Sequence, residues 1–363
     1  MKIALDAKRA FHNHRGLGNY SRDVIRLLTT YAPANDYLLF AKPTDSYAFP
    51  HTQTIAPQVL WSCLPSLWRS YGCTGQMKDV DIYWGLSGEL PFGIEKTGVR
   101  SVVTIHDTIF IRYPELYSPT YRWLFTRKMR YALRVADIVI AISEQTKRDI
   151  IEYFGVDESK ICVVYQGCNN RFREPISDEQ MLAVKKRYNL PDKYLVDVGA
   201  LEPRKNLKTL IRAMALAKVS VPLVVVGGRS RYGDEAQALA DELGICLIQL
   251  NRLPFDDLPA LYKGAVASIY PSVFEGFGIP ILESMCVGTP VLTSTGSCFA
   301  ETGGEAAMYA DPLSVEDMAA KLSQLLTDDK LRQKMIKAGY KQADKFKDEN
   351  VAANIIKTLC LNK

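Results

Sequence analysis

Two carboxylates and two cations stand where their types and spacing could bind a phosphate and hydroxyls. Glu275 and Glu283 lie eight residues apart in the stretch VASIYPSVFEGFGIPILESMCVGTP, residues 266–290. Val266 to Tyr270 read as a short buried strand, which Pro271 and Ser272 end. The glycines of the loop Phe274 to Gly278 allow unusual backbone angles. Pro280 suits the first position of a helix, where its missing N–H costs nothing. Such a loop delivers backbone donors at a helix N-terminus, a ready anion site. Glu275 in the loop, and Glu283 about a turn into the helix, would accept hydroxyl hydrogen bonds from a sugar or ribose. Arg204 and Lys205 sit together at the start of another helix, where adjacent cations oppose the dipole unless an anion is near. Each feature also has a purely structural reading: a Glu offsetting a helix dipole, a common glycine turn, two exposed bases.

The elements that must position these groups alternate. Short apolar runs bounded by turn residues mark strands at Lys2–Ala7, Tyr37–Ala41, Asp81–Leu86, Arg100–His106, Asp137–Ser143 and Lys160–Tyr165. The pattern restarts at Tyr194–Gly199, Leu223–Gly228, Ile245–Leu250, Val266–Tyr270 and Pro290–Thr295. Helical patterns lie between them, from about Tyr20 to Tyr31, over 121–134, from Ser143 to Phe154, from Leu207, and from Ser314 onward. Strands alternating with helices imply parallel, doubly wound sheets. The prolines and mixed charge of 171–192 suggest a boundary, so the expected plan is a domain over 1–172, a linker over 173–192 and a domain over 193–345. Segment 44–78 is not resolved by pattern.

The order and spacing of Glu275-Gly276-Phe277-Gly278-Ile279-Pro280, Glu283-Ser284-Met285 and Gly288-Thr289-Pro290-Val291 resemble the E-x7-E signature of retaining glycosyltransferases of family 4. His106-Asp107, followed by Pro114 to Tyr117, resembles one bacterial, mannosyltransferase-like subgroup. Glu202-Pro203-Arg204-Lys205-Asn206 resembles the family's diphosphate-binding turn, although Ala200 stands where many members carry Arg. The turn Asn251-Arg252-Leu253 departs from the family's base-binding pattern, so the base is not legible.

The resemblance implies the GT-B fold: two Rossmann-like, doubly wound domains facing a central cleft, with a helix over 346–363 crossing back to the first. It assigns catalysis to His106 and Glu275, and donor contacts to Gly16, Arg204, Lys205, Phe277, Gly278, Ile279 and Glu283. The implied reaction moves a hexose, with mannose from GDP-mannose the first expectation and UDP-glucose-type donors next. The acceptor would be a glycan or polyprenyl-linked hydroxyl in surface polysaccharide assembly. No metal and no cofactor are expected, since cationic side chains and a helix end replace the metal. A nucleotide-sugar 2-epimerase and a non-catalytic sugar- or nucleotide-binding protein are the rival readings.

The chain of 363 residues is 47% hydrophobic and carries a net charge of +5. That balance is too weak to argue for nucleic acid. Eight scattered cysteines, without zinc spacing, suit a reducing cytoplasm. The opening MKIALDAKRA reads as a strand, not a signal peptide, and no apolar run reaches the ~20 residues needed to span a bilayer. Residues 121–134, with five basic and no acidic side chains interleaved with Trp123 and Phe125, read either as a helix lying on anionic lipid or as one with a core face and a solvated basic face. Arg9, His12, His14 and Arg15 make the loop before the first long helix basic, which suits an anionic acceptor or plain surface.

Overall fold

The computed structural model describes residues 1–44, 47–58, 61, 63–251 and 253–360. Arg252 of the base-side turn lies outside the described residues. Seven strands form the first sheet: β1 (Lys2–Asp6), β2 (Asp36–Phe40), β3 (Gln53–Ile55), β4 (Ile82–Gly85), β5 (Arg100–Ile105), β6 (Ile138–Ala141) and β7 (Ile161–Val163). Six form the second: β8 (Leu195–Val198), β9 (Leu223–Val226), β10 (Leu247–Leu250), β11 (Ala267–Tyr270), β12 (Val291–Ser294) and β13 (Met308–Ala310). The spatial orders are β3-β2-β1-β4-β5-β6-β7 and β10-β9-β8-β11-β12-β13, with all pairings parallel. The strands read as continuous apolar runs because a doubly wound sheet is covered on both faces. In β8, for example, Leu195 and Val196 are wholly buried.

In each sheet the winding reverses between the first and fourth strands, β1 and β4 or β8 and β11. Side-by-side loops leave the carboxyl ends there, which is where such sheets bind ligands. Each sheet carries its own apolar core, one built on Phe40, Trp68, Tyr83 and Val139, the other on Leu195, Leu210, Leu223 and Ile269.

The chain divides into one compact unit of Met1–Gln166 with Asp348–Lys363 and another of Gly167–Lys347. The boundary expected over 173–192 is therefore corrected. Ser177 and Gln180 form a reciprocal capping box that starts a helix, Asp178–Arg187. Arg187 then grips Asp257 with two bonds of 2.7 and 2.8 Å, and Tyr188 donates to the same carboxylate at 2.5 Å. This segment belongs to the second unit. The helix Asp348–Cys360 packs on the helix Gly16–Tyr31 of the first unit. Arg26 binds both Asp348 oxygens, and Arg100 donates to the Leu359 carbonyl at 2.9 Å.

Local differences have local causes. Residues Lys8–His12 form a short helix rather than loop, and the next helix begins at Gly16, not near Tyr20. Gly18 sits within it because an added Cβ would lie 1.7 Å from the Asn13 carbonyl oxygen. The edge strands β3 and β13 are three residues each, too short to show a period. Ser143 and Gly155 bracket the helix Glu144–Phe154 as read: the Ser143 hydroxyl accepts from Thr146 N–H, and Gly155 has φ +63°.

Candidate active site

The loops after β8 and β11 are neighbours and are fastened together. After β8 a single 3-10 turn, Pro203–Lys205, ends at Asn206, which adopts φ +62° and precedes the helix Leu207–Leu216. The Asn206 amide nitrogen donates to the Pro271 and Pro312 carbonyls at 3.1 and 2.7 Å. Val273 N–H donates to the Arg204 carbonyl at 2.9 Å. The turn bearing the two cations is thus pinned against the loop bearing Glu275.

Their side chains meet. Lys205 Nζ and Arg204 Nη1 both lie 2.6 Å from Glu275 Oε1. Lys205 Nζ also donates to Tyr270 Oη at 2.7 Å, and Arg204 Nη1 to the Phe274 carbonyl at 2.6 Å. Arg204 Nη2 reaches Glu202 at 2.6 Å. The three central side chains are only 11–13% exposed, so their charges act through a medium far less screening than water. Burial pushes the Glu275 pKa up, but Lys205 and Arg204 outweigh it and hold the carboxyl below its ordinary value. Glu275 is fixed through its backbone as well: its N–H donates to Ser297 Oγ, which donates back to its carbonyl at 2.9 Å.

The helix Ile279–Cys286 follows at once, capped by Gly278 at φ +90°. Ile279, not Pro280, is its first residue; Pro280 is second. Pro280 brings no N–H and the Ile281 N–H goes to the Gly278 carbonyl, so the Gly278 and Ile279 amides are the donors to consider here. Phe277 contributes shape: its ring is buried edge-on against Phe346, and its carbonyl accepts from Thr302. Glu283 lies within the helix, 8% exposed, and accepts from Tyr262 Oη at 3.2 Å. Burial raises its pKa to about 7 against the small pull of that hydroxyl.

Tyr270, Asn206, Ser297 and Tyr262 escaped sequence reasoning because their partners lie far along the chain. Asp197 carried a visible signal, an acid inside the apolar run of β8. It is buried, and burial raises its pKa to about 7 although Lys205 pulls the other way.

In the first unit, His106 directly follows β5, with its ring edge-on to Tyr20 at 4.5 Å and Nε2 2.9 Å from the Leu86 carbonyl. Burial lowers its pKa to about 4, so the ring is neutral near pH 7. Donation from Nε2 to Leu86 makes Nδ1 the acceptor. Gly16 is the first residue of its helix, and an added Cβ would meet nothing within 4 Å.

Two doubly wound domains, with converging donors and carboxylates at the second one's switch point, are the plan of a GT-B glycosyltransferase. Residues 179–342 match the family Glycosyl transferases group 1, and residues 42–171 match Glycosyltransferase Family 4. The two halves of the chain thus each match a glycosyltransferase family. It is 29% identical over 382 residues to the O-antigen chain mannosyltransferase B of Escherichia coli, covering 98% of each chain. Among solved structures it is similar to the sucrose-phosphate synthase of Thermosynechococcus elongatus, with TM-score 0.78, 20% identity and coverage of 99% and 98%. HepE of Anabaena, in complex with UDP and glucose, superposes with TM-score 0.77 at 19% identity over 99% of both chains. Among the described residues no helix is long and apolar enough to cross a membrane.

Proposed function

We propose that this chain transfers a mannosyl group, with retention, from GDP-mannose to a hydroxyl of a glycan or polyprenyl-linked acceptor in O-antigen-type polysaccharide assembly. The observation that carries the reading is the convergence of Arg204 and Lys205 on Glu275 beside the helix end at Gly278–Ile279. Without ligand, each cation is neutralised by a carboxylate. An arriving diphosphate takes over the Arg204 and Lys205 donors, and Glu275 is released to accept hydrogen bonds from sugar hydroxyls and to support positive charge at the anomeric carbon. As the sugar–phosphate bond breaks, charge grows on the leaving phosphate, where the fixed cations and the Gly278 and Ile279 amides stabilise it. Those groups do the work a metal ion does in other phosphate sites, so the reaction runs without one. Glu283 accepts from the ribose hydroxyls. His106 accepts from a substrate hydroxyl through Nδ1. The mannosyl choice is supported by the full-length similarity to the E. coli mannosyltransferase. A UDP-glucose-type donor is the second reading, favoured by the likeness to HepE bound to UDP and glucose.

The test incubates the protein with GDP-mannose or UDP-glucose, with and without mannosyl-terminated acceptors and EDTA. GDP release that needs acceptor, survives EDTA and gives an α-linked product by NMR supports the proposal. An epimerised donor formed without acceptor favours the epimerase, and tight donor binding without turnover favours a binding protein.

A further inference from the structure

Two cysteines of the second unit face each other. Cys168 Sγ and Cys286 Sγ lie 3.3 Å apart although 118 residues separate them in the chain. The other two buried thiols are turned to backbone instead: Cys73 donates to the Arg69 carbonyl and Cys298 to the Glu275 carbonyl, each at 3.2 Å. Closing the gap to the ~2.05 Å of a disulfide needs a movement of roughly 1.3 Å, which side-chain rotation with a small backbone shift supplies.

Both sulfurs sit beside the candidate active site. Cys286 is the last residue of the helix Ile279–Cys286, which carries Glu283. Cys168 is the second residue of the second unit, directly after the chain leaves the first at Gln166. The turn that follows, Asn170–Arg173, packs on that helix. Within it Phe172 is wholly buried and lies edge-on to Tyr262, whose hydroxyl donates to Glu283. Arg173 Nη2 donates to the Ala343 carbonyl at 2.8 Å, a few residues before the chain leaves the second unit at Lys347.

Two small buried thiols in contact are ordinary packing in many cores, but here their surroundings set them apart. With Cys168 as the donor, the shared bond draws the Cys286 pKa down; burial opposes that pull and Arg173 adds to it. The same bond, and then burial, push the Cys168 thiol up. A thiolate-prone sulfur beside a protonated partner is the pairing of an attacking and a resolving cysteine. The residues are 4% and 7% exposed, so a small local opening admits an oxidant of two heavy atoms and not a bulky one.

We propose that Cys168 and Cys286 are a modification site, converted reversibly by hydrogen peroxide to a disulfide that staples the start of the second unit to the helix bearing Glu283. The Cys286 sulfur attacks one peroxide oxygen and the O–O bond breaks, giving a sulfenic acid and, after protonation, water. The Cys168 sulfur then forms the S–S bond, the sulfenic S–O bond breaks, and that oxygen leaves with the Cys168 proton as a second water. The two thiols lose two electrons and two protons, and the peroxide takes both. In a reducing compartment such a bond is transient and redox-sensing rather than permanent.

The test uses the full chain carrying Cys63→Ser, Cys246→Ser and Cys360→Ser, so that the exposed thiols do not link molecules. The reduced protein is treated with hydrogen peroxide and mapped by mass spectrometry without reductant, beside a melt and hydrogen exchange. The expected product is an intramolecular peptide pair joining Cys168 to Cys286, undone by a phosphine reductant. Its melt lies at least about 5 °C higher, because closing so long a loop restricts the unfolded chain, and exchange over residues 167–173 slows. Adding Cys168→Ser abolishes the linked peptides and the peroxide-induced shift; where that variant does not fold, Cys286→Ser serves. Both thiols still free after treatment, sulfinic acid in place of the bond, linkage of either sulfur to another cysteine, or a linked protein that melts no higher would each overturn the assignment. Nucleotide-sugar turnover does not enter the measurement, so its outcome is independent of the transfer reaction proposed above.

Discussion

Glu275 pairs with two cations at once, and the consequences of removing it or them follow from that. Glu275→Ala and Lys205→Ala are each expected to lower mannosyl turnover at least about a hundredfold, the scale of one preorganised charge contact in a water-poor site. A melt must accompany each, because stranding a buried charge costs about 3–5 kcal/mol; two folded variants with near-normal rates would contradict the roles of both side chains. Glu283 supplies a pH test. Its folded pKa of about 7 lies above the ordinary 4.5, so the folded state holds the proton more tightly than the unfolded chain. On this group's account stability is highest below about pH 4.5 and falls as pH rises toward 7, by about 3 kcal/mol at most. Glu283→Gln should flatten that limb, leaving the similar one from Asp197. Ribose hydroxyls favour the carboxylate, so GDP binding at pH 6.5 should release a fraction of a proton. Calorimetry in two buffers of different ionisation enthalpy measures this, and an identical release in Glu283→Gln would count against the ribose role. Glu275, Glu283, Arg204 and Lys205 were legible because each pair lies within one short stretch. Tyr270 and Asn206 were not, since their bonds to Lys205 and Pro312 span 65 and 106 residues.

At the scale of elements, the glycine pair in the first turn of the helix Gly16–Tyr31 separates packing from contact. Gly18→Ala should destabilise the first unit severely, because its Cβ would collide with the Asn13 backbone, whereas Gly16→Ala should leave the melt unchanged. Loss of turnover in a stable Gly16→Ala protein would therefore report ligand contact; equal melts for both variants would refute the packing argument. The strand ends and the cap at Ser143 could be read from local pattern, since turn residues and short polar side chains act within a few residues. The helix Asp178–Arg187 was missed although Ser177 and Gln180 display its capping signal, because the flanking prolines weighed more than the cap. The edge strands β3 and β13 hold only three residues, and their pairing is fixed by neighbours in space.

For the whole molecule, the terminal helix is the informative element. It sits last in sequence yet belongs to the first unit, burying Val351, Ile355 and Leu359 and pairing Asp348 with Arg26. Ending the chain after Lys347 should lower the first unit's unfolding midpoint, since each such side chain contributes about 1.5–3 kcal/mol; followed by hydrogen exchange, the core of the second sheet should keep its protection. Loss spread evenly over both units would contradict the division. The domain plan was legible because apolar strands restart after an interruption, and the resemblance implied the return of the last helix to the first unit; the first crossing, after Gln166, was not legible, since contacts rather than composition set it. The central claim is that a diphosphate docks where the Glu275 loop meets its helix. A crystal soaked with GDP-mannose tests it most directly. Phosphate oxygens within ~3 Å of Lys205 Nζ and the Gly278–Ile279 amides, with Glu275 turned from the cations to the sugar, are the predicted result. Nucleotide bound elsewhere, with Lys205 and Arg204 still closed on Glu275, would contradict it.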